Sequence, residues 1–171
     1  LQEVMRRKHD LYETPPHYID ALLELIGAPM GRVYEPCCGR NHISAAIVQK
    51  THSRVFTNDI QKRFGQTHFD ATTADAWETY NDWTITNPPF SQELEILQFA
   101  LARSRNVAML ARLSFLEPTK DRAPFWDHYD FSLELIVLPR YSFTGAGSDS
   151  MTCCWLVWRG KGGSITVADR L

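Results

Sequence analysis

Short apolar runs alternate with helically spaced ones along this chain, and that alternation constrains the fold more than any other feature. Residues 32–35, 54–58, 83–86 and 106–113 are compact apolar runs bounded by proline or polar residues, the size of buried strands. A weaker run covers 68–72. Between them the spacing predicts three helices. In 19–26, Ile19, Leu22, Leu23 and Ile26 share a face and Gly27 closes the turn; the others cover 41–50 and 92–103, the last placed for Ser91 to cap. Strands alternating with helices imply parallel crossovers and a sheet covered on both faces. Two further runs, 133–138 and 151–158, have only a loop between them, so they form an antiparallel pair. Ligands of such sheets bind beyond the carboxyl ends of the strands.

The 171 residues match one such domain, spanning 1–171. A formal net charge of −2 and a pI of about 6.3 exclude broad non-specific phosphate binding, which needs a surplus of Lys and Arg, but allow a local basic rim. The cysteines fall in two adjacent pairs, Cys37-Cys38 and Cys153-Cys154, without zinc-site spacing, and the histidines are dispersed. The expectation is a cytoplasmic protein with reduced thiols and no metal. No apolar run reaches the length of a membrane span, and the first residues do not resemble a signal peptide. Leu1 in place of Met marks the sequence as a candidate fragment.

Asn87-Pro88-Pro89-Phe90 carries the most specific chemistry. It follows the apolar run 83–86 and precedes a helix. Two prolines stiffen the backbone and remove N–H donors. The Asn87 side-chain oxygen and the Pro88 carbonyl can then converge on one point, where two acceptors suit an NH₂ group. Phe90 can stack on a flat ring that carries it. The bland alternative is a proline turn between strand and helix.

This segment resembles the catalytic motif of the amino-methyltransferases, Asn/Asp/Ser-Pro-Pro-Tyr/Phe/Trp. The resemblance implies that Asn87, Pro88, Pro89 and Phe90 bind the target amine and its ring, with Asn87 also among the residues that contact the cofactor. The Asn form is commonest in adenine-N6 enzymes and also occurs in enzymes acting on protein glutamine or ribosomal RNA. Upstream, Val33-Tyr34-Glu35-Pro36-Cys37-Cys38-Gly39-Arg40 resembles the S-adenosylmethionine (SAM) loop, Asp/Glu-x-x-x-Gly-x-Gly, with Asn41 where the second glycine is usual. Asn tolerates left-handed backbone better than most residues. Glu35, Pro36, Cys37 and Gly39 are therefore expected at the cofactor. Asp59 ends the second strand, where the fold places an acceptor for ribose hydroxyls, and Ile60 could pack on the cofactor's adenine. The family also places an acid after the third strand. Asp75, followed by Ala76, stands there, with a helix N-cap as the equal alternative for Asp75. Tyr12-Glu13-Thr14-Pro15-Pro16 resembles motif X, which touches the methionine end of SAM; a capping turn would use the same residues.

Motif X, cofactor loop, then Asn-Pro-Pro-Phe is the order of the gamma group of DNA adenine methyltransferases, and the match spans residues 12–90. The second half looks like enzymes of phage or prophage type. The resemblance implies a Rossmann-like class I methyltransferase fold: a mostly parallel seven-stranded sheet with an antiparallel C-terminal hairpin and helices on both faces. It implies transfer of methyl from SAM to N6 of adenine in DNA, leaving S-adenosyl-L-homocysteine, in a bacterial or phage-infected cell. Without a target-recognition domain, Arg122 and Phe143 on loops are the expected substrate contacts, in a monomer or weak dimer served by a partner subunit. Trp155 and Trp158 fall on a strand, which favours core or edge packing over a base-reading role. An RNA or protein-glutamine methyltransferase and a silent scaffold subunit are the alternatives.

Overall fold

The computed structural model describes residues 12–128, 133–140, 151–160 and 166–168. The elements in chain order are α1 (Pro16–Ile26), β1 (Val33–Glu35), α2 (His42–Thr51), β2 (Val55–Thr57), β3 (Asn81–Thr86), α3 (Glu93–Arg103), β4 (Ser104–Arg112), α4 (Ala123–His128), β5 (Leu133–Val137), β6 (Cys153–Arg159) and β7 (Thr166–Ala168). Six of the seven expected strands form. The sheet runs β2-β1-β3-β4-β6-β5, with the short β7 beside β5 at the edge. The expected antiparallel pairing of β5 with β6 is present, and β6 also pairs antiparallel with β4, so it is the one reversed strand among the described residues.

Alternation along the strands builds a core on each face. Val107, Met109 and Ala111 of β4 pack with Leu156 and Trp158 of β6 and with Ile96 and Leu97 of α3. The intervening Ala108 and Leu110 pack with Trp155 and Val157, with Tyr18 and Leu22 of α1, and with Ile43 and Ile47 of α2. Each fully buried aliphatic side chain contributes roughly 1.5–3 kcal/mol. Trp155 and Trp158 are buried, as expected. The Trp155 indole N–H donates to the Tyr18 carbonyl at 2.8 Å and the Tyr18 hydroxyl to the Pro139 carbonyl at 2.6 Å, so these large rings bury no unpaired donor. Gly27 ends α1 at φ 71°, its N–H donating to the Leu23 carbonyl.

The run 68–72 is not a strand. The buried side chain of Asn58 takes the place of a neighbouring strand there. Its oxygen accepts from the Phe69 N–H and the Thr67 hydroxyl, and its amide donates to the carbonyls of Phe69 and Pro36. Asp70 then turns the chain by accepting from the Thr72 N–H and hydroxyl. Ser91 is no helix cap: it lies inside a 3₁₀ turn, Phe90–Gln92, and α3 starts after it without a side-chain cap.

Candidate active site

The carboxyl ends of β1, β2, β3 and β4 open into a cleft of about 940 Å³. Tyr12, Thr14, Glu35, Pro36, Cys37, Gly39, Asp59, Ile60, Asn87, Pro89 and Phe90, all expected at the site, line it.

The loop after β1 is held from below. Glu35 is buried, and its carboxylate accepts the Ser44 N–H at 3.0 Å at the start of α2. Burial, only partly offset by Ser44, holds its pKa well above the ordinary carboxyl range. Asp59 is buried too; one oxygen accepts the Gly39 N–H at 2.8 Å and the other the Gln61 N–H at 2.8 Å. Each carboxylate oxygen keeps a further lone pair for a ligand hydroxyl. Gly39 has φ 47° and Asn41 φ 64°, both left-handed. Asn41 thus makes the turn expected of the missing glycine, which few other residues would do without strain. Burial, with Glu35 and Asp59 nearby, pushes the Cys38 thiol up to about 12, so it is no thiolate nucleophile.

Over the end of β3, the Asn87 amide NH₂ donates to the Tyr12 carbonyl and the Thr14 hydroxyl, each at 3.1 Å. Those two bonds fix which way the amide points. The nitrogen is used by the protein, and the oxygen accepts nothing from the described residues. Thr14, buried, keeps its hydroxyl proton for donation. Phe90 stacks on Tyr12 with centroids 5.3 Å apart, and the Arg112 guanidinium lies 4.1 Å from the Phe90 centroid. Glu13 pairs with Arg40 at 2.7 Å, joining the segment before α1 to the loop after β1.

Other expected residues lie elsewhere. Pro15, at the α1 N-cap position, and buried Pro88 do not line the cleft. Asp75 is exposed in the first turn of the 3₁₀ helix Ala74–Trp77, whose N-cap is Thr73, and Ala76 is buried with its carbonyl accepting from the Tyr34 hydroxyl. Asp70 and Ala71 line the cleft in that region instead, because the chain turns at Asp70 and never forms the third strand. The signal was an acid directly after the apolar Phe69. Arg122 holds its own turn, donating to Thr119 and to the Ser114 carbonyl, and does not line the cleft. Phe143 lies outside the described residues. Arg112, absent from the sequence reading, does line the cleft.

This three-layer sheet with one reversed inner strand matches solved structures over nearly the whole chain. The fold is that of the class I methyltransferases. A protein provisionally named an RNA methyltransferase, from Pyrococcus horikoshii, superposes with a TM-score of 0.69 at 16% identity, covering 90% of this chain and 88% of its own. The type I restriction-modification methyltransferase subunit of Streptococcus thermophilus gives 0.72 at 11% identity, covering 94% of this chain and 47% of its own. The M protein of the type I restriction enzyme EcoKI gives 0.71 at 14% identity, covering 96% and 49%. This chain therefore spans about half the length of each restriction-modification subunit. No family model and no curated protein matches the sequence. Among the described residues no helix is long and apolar enough to cross a membrane.

Proposed function

We propose that the chain is a SAM-dependent methyltransferase acting on an exocyclic amino nitrogen, N6 of adenine in DNA. The observation that carries this reading is the orientation of Asn87. Its nitrogen is tied to Tyr12 and Thr14, which leaves an oxygen in the cleft as an acceptor for an amine. An Asn turned the other way would repel an NH₂ donor. The Pro88 carbonyl, which receives no hydrogen bond among the described residues, is proposed as the second acceptor, although Pro88 itself does not line the cleft.

The residues present suit the cofactor. Asp59 offers carboxylate oxygens for hydroxyls, Glu35 holds the loop beneath it through Ser44, Asp70 offers an acceptor for an amino group, Ile60 an apolar wall, and Thr14 a donor for a carboxylate. When bound, SAM supplies an electrophilic methyl group. The work of the protein is then orientation. Asn87 and Pro88 draw the two N–H bonds of the target aside and localise the nitrogen lone pair, which the ring otherwise delocalises, while Phe90 holds the ring plane. Asn87 is no base, so the proton leaves after the transfer. A duplex base must leave its stack to reach this cleft.

DNA as the substrate rests on the motif order and on the likeness to restriction-modification subunits. An RNA target is the second reading, favoured by the near-complete mutual coverage with the Pyrococcus protein. The test is transfer of radiolabelled methyl from SAM to unmethylated double-stranded DNA, single-stranded DNA and ribosomal RNA, with digestion to nucleosides. Label in N6-methyldeoxyadenosine is expected. Label only in RNA moves the substrate, and absence of SAM binding sinks the enzyme reading in favour of a scaffold.

A further inference from the structure

Arg112 has more charge than the surrounding protein uses. It ends β4, the strand beyond β3 on the side away from β1 and β2, so it reaches the cleft from the Phe90 side rather than from the cofactor loop. It makes no ion pair within 4.0 Å among the described residues, and its Nε is buried without a hydrogen-bond partner. Glu93, the first residue of α3, is the carboxyl that senses its charge. It too is buried, with one oxygen unpartnered. Arg122 also acts on Glu93 but is bonded to its own turn. A half-buried guanidinium with an unused N–H is costly to keep unless something binds it. Its flat fork matches two oxygens of a phosphate.

Resting on the reading of the cleft as a nucleic-acid amino-methyltransferase site, we infer that Arg112 is the anion-reading residue of the target half. Its guanidinium lies on Phe90 in the free protein and pairs with the phosphodiester beside the target base when that base enters. The ring that stacks on Phe90 meets Arg112 on arrival, so base entry and phosphate capture become one event. A protein glutamine brings no such phosphate, and Arg112 is therefore what selects nucleic acid over protein at this site. The anion could also be the carboxylate of SAM, which the experiment separates.

The test is anisotropy of a dye-labelled single-stranded oligodeoxynucleotide containing one adenine, titrated with the wild-type chain, Arg112→Gln and Arg112→Lys between 50 and about 200 mM salt, the range over which phosphate contacts are read. SAM affinity is measured in parallel by calorimetry, and folding by circular dichroism. Arg112→Gln is expected to weaken oligonucleotide binding about 10-fold and to lower the salt slope by about 0.7, one phosphate on a single strand. Arg112→Lys, which keeps the charge without the fork, should recover the slope and only part of the affinity. SAM affinity should stay within about twofold of wild type. Unchanged oligonucleotide affinity and slope in Arg112→Gln overturn the inference, as does a loss confined to SAM. A wild-type chain that binds the oligonucleotide through Arg112 yet transfers no methyl would instead remove the enzymatic reading and leave the anion role standing.

Discussion

The two halves of the cleft are built to different rules. On the β1–β2 side, which the proposed function gives to the cofactor, the buried polar groups are bonded to the protein. Asp59 accepts from Gly39 and Gln61, Glu35 from Ser44, and Asn58 makes four hydrogen bonds. On the β3–β4 side, which the proposed function gives to the target, polar atoms lack partners: Glu93 Oε1 and Arg112 Nε are buried without them, and the Asn87 oxygen accepts nothing among the described residues. The first half is a frame that stands without its ligand. The second holds its hydrogen-bonding capacity open, at some cost in stability. Pre-organisation and readiness are thus divided between neighbouring strand ends.

The contrast can be broken most severely at Asn87. Asn87→Ala should lower methyl transfer by about 100-fold or more, the scale of losing one oriented group at a reacting centre, while SAM affinity by calorimetry stays close to wild type. An equal loss of both would show that the two halves are not separable. Next in size is Asn58→Ala, on the framed side. It strands the Phe69 and Pro36 main-chain groups and should cost about 2–4 kcal/mol in urea unfolding, with weaker SAM binding following from the loosened loop.

Glu93 sharpens the opposite side. Burial raises its pKa to about 7, against opposing effects of Arg112 and Arg122. A carboxyl that ionises near 4.5 when unfolded and near 7 when folded favours the folded state below the lower value, and that advantage is lost as pH rises through the higher one. Glu93→Gln should therefore raise stability by about 1–3 kcal/mol at pH 8 relative to its effect at pH 4 and flatten the pH dependence between, as thermal melts across that range would show. An unaltered pH profile would mean that Glu93 finds its partner in the ionised state. The smallest effect belongs to the exposed Glu13–Arg40 pair. Glu13→Gln should change stability by no more than about 0.5 kcal/mol, and a larger loss would make that bridge part of the frame.

The sequence made the strands legible wherever apolar side chains were buried on both faces, as in β3 and β4, and the helices wherever one face was. It failed at 68–72 because a side chain, Asn58, did the work of a strand, and no periodicity reports that. That Asp70, rather than the expected Asp75, lines the cleft follows from the same misreading, since a full strand would have carried the chain further. Asn87 and Asp59 could be placed at the cleft from the sequence because each follows a strand end. Arg112 was hidden as the polar end of an apolar run, and its meaning depends on Phe90 and Glu93, brought close only by folding. The pairing of β5 with β6 was legible because the sequence has no helical run between them; which of the two lies against β4 was not.

The position of β6 bears on how the chain is made. β4 is apolar on both faces from Val107 to Ala111, and among the described residues one of its edges is satisfied only by residues 153–159. During synthesis those residues leave the ribosome after β5, so for that interval β4 offers an open, apolar edge of the kind that recruits strands from other chains. Slow translation or heavy expression should therefore favour aggregation through β4, and a fragment ending before Met151 should be insoluble even though every residue of the proposed catalytic motif is already present.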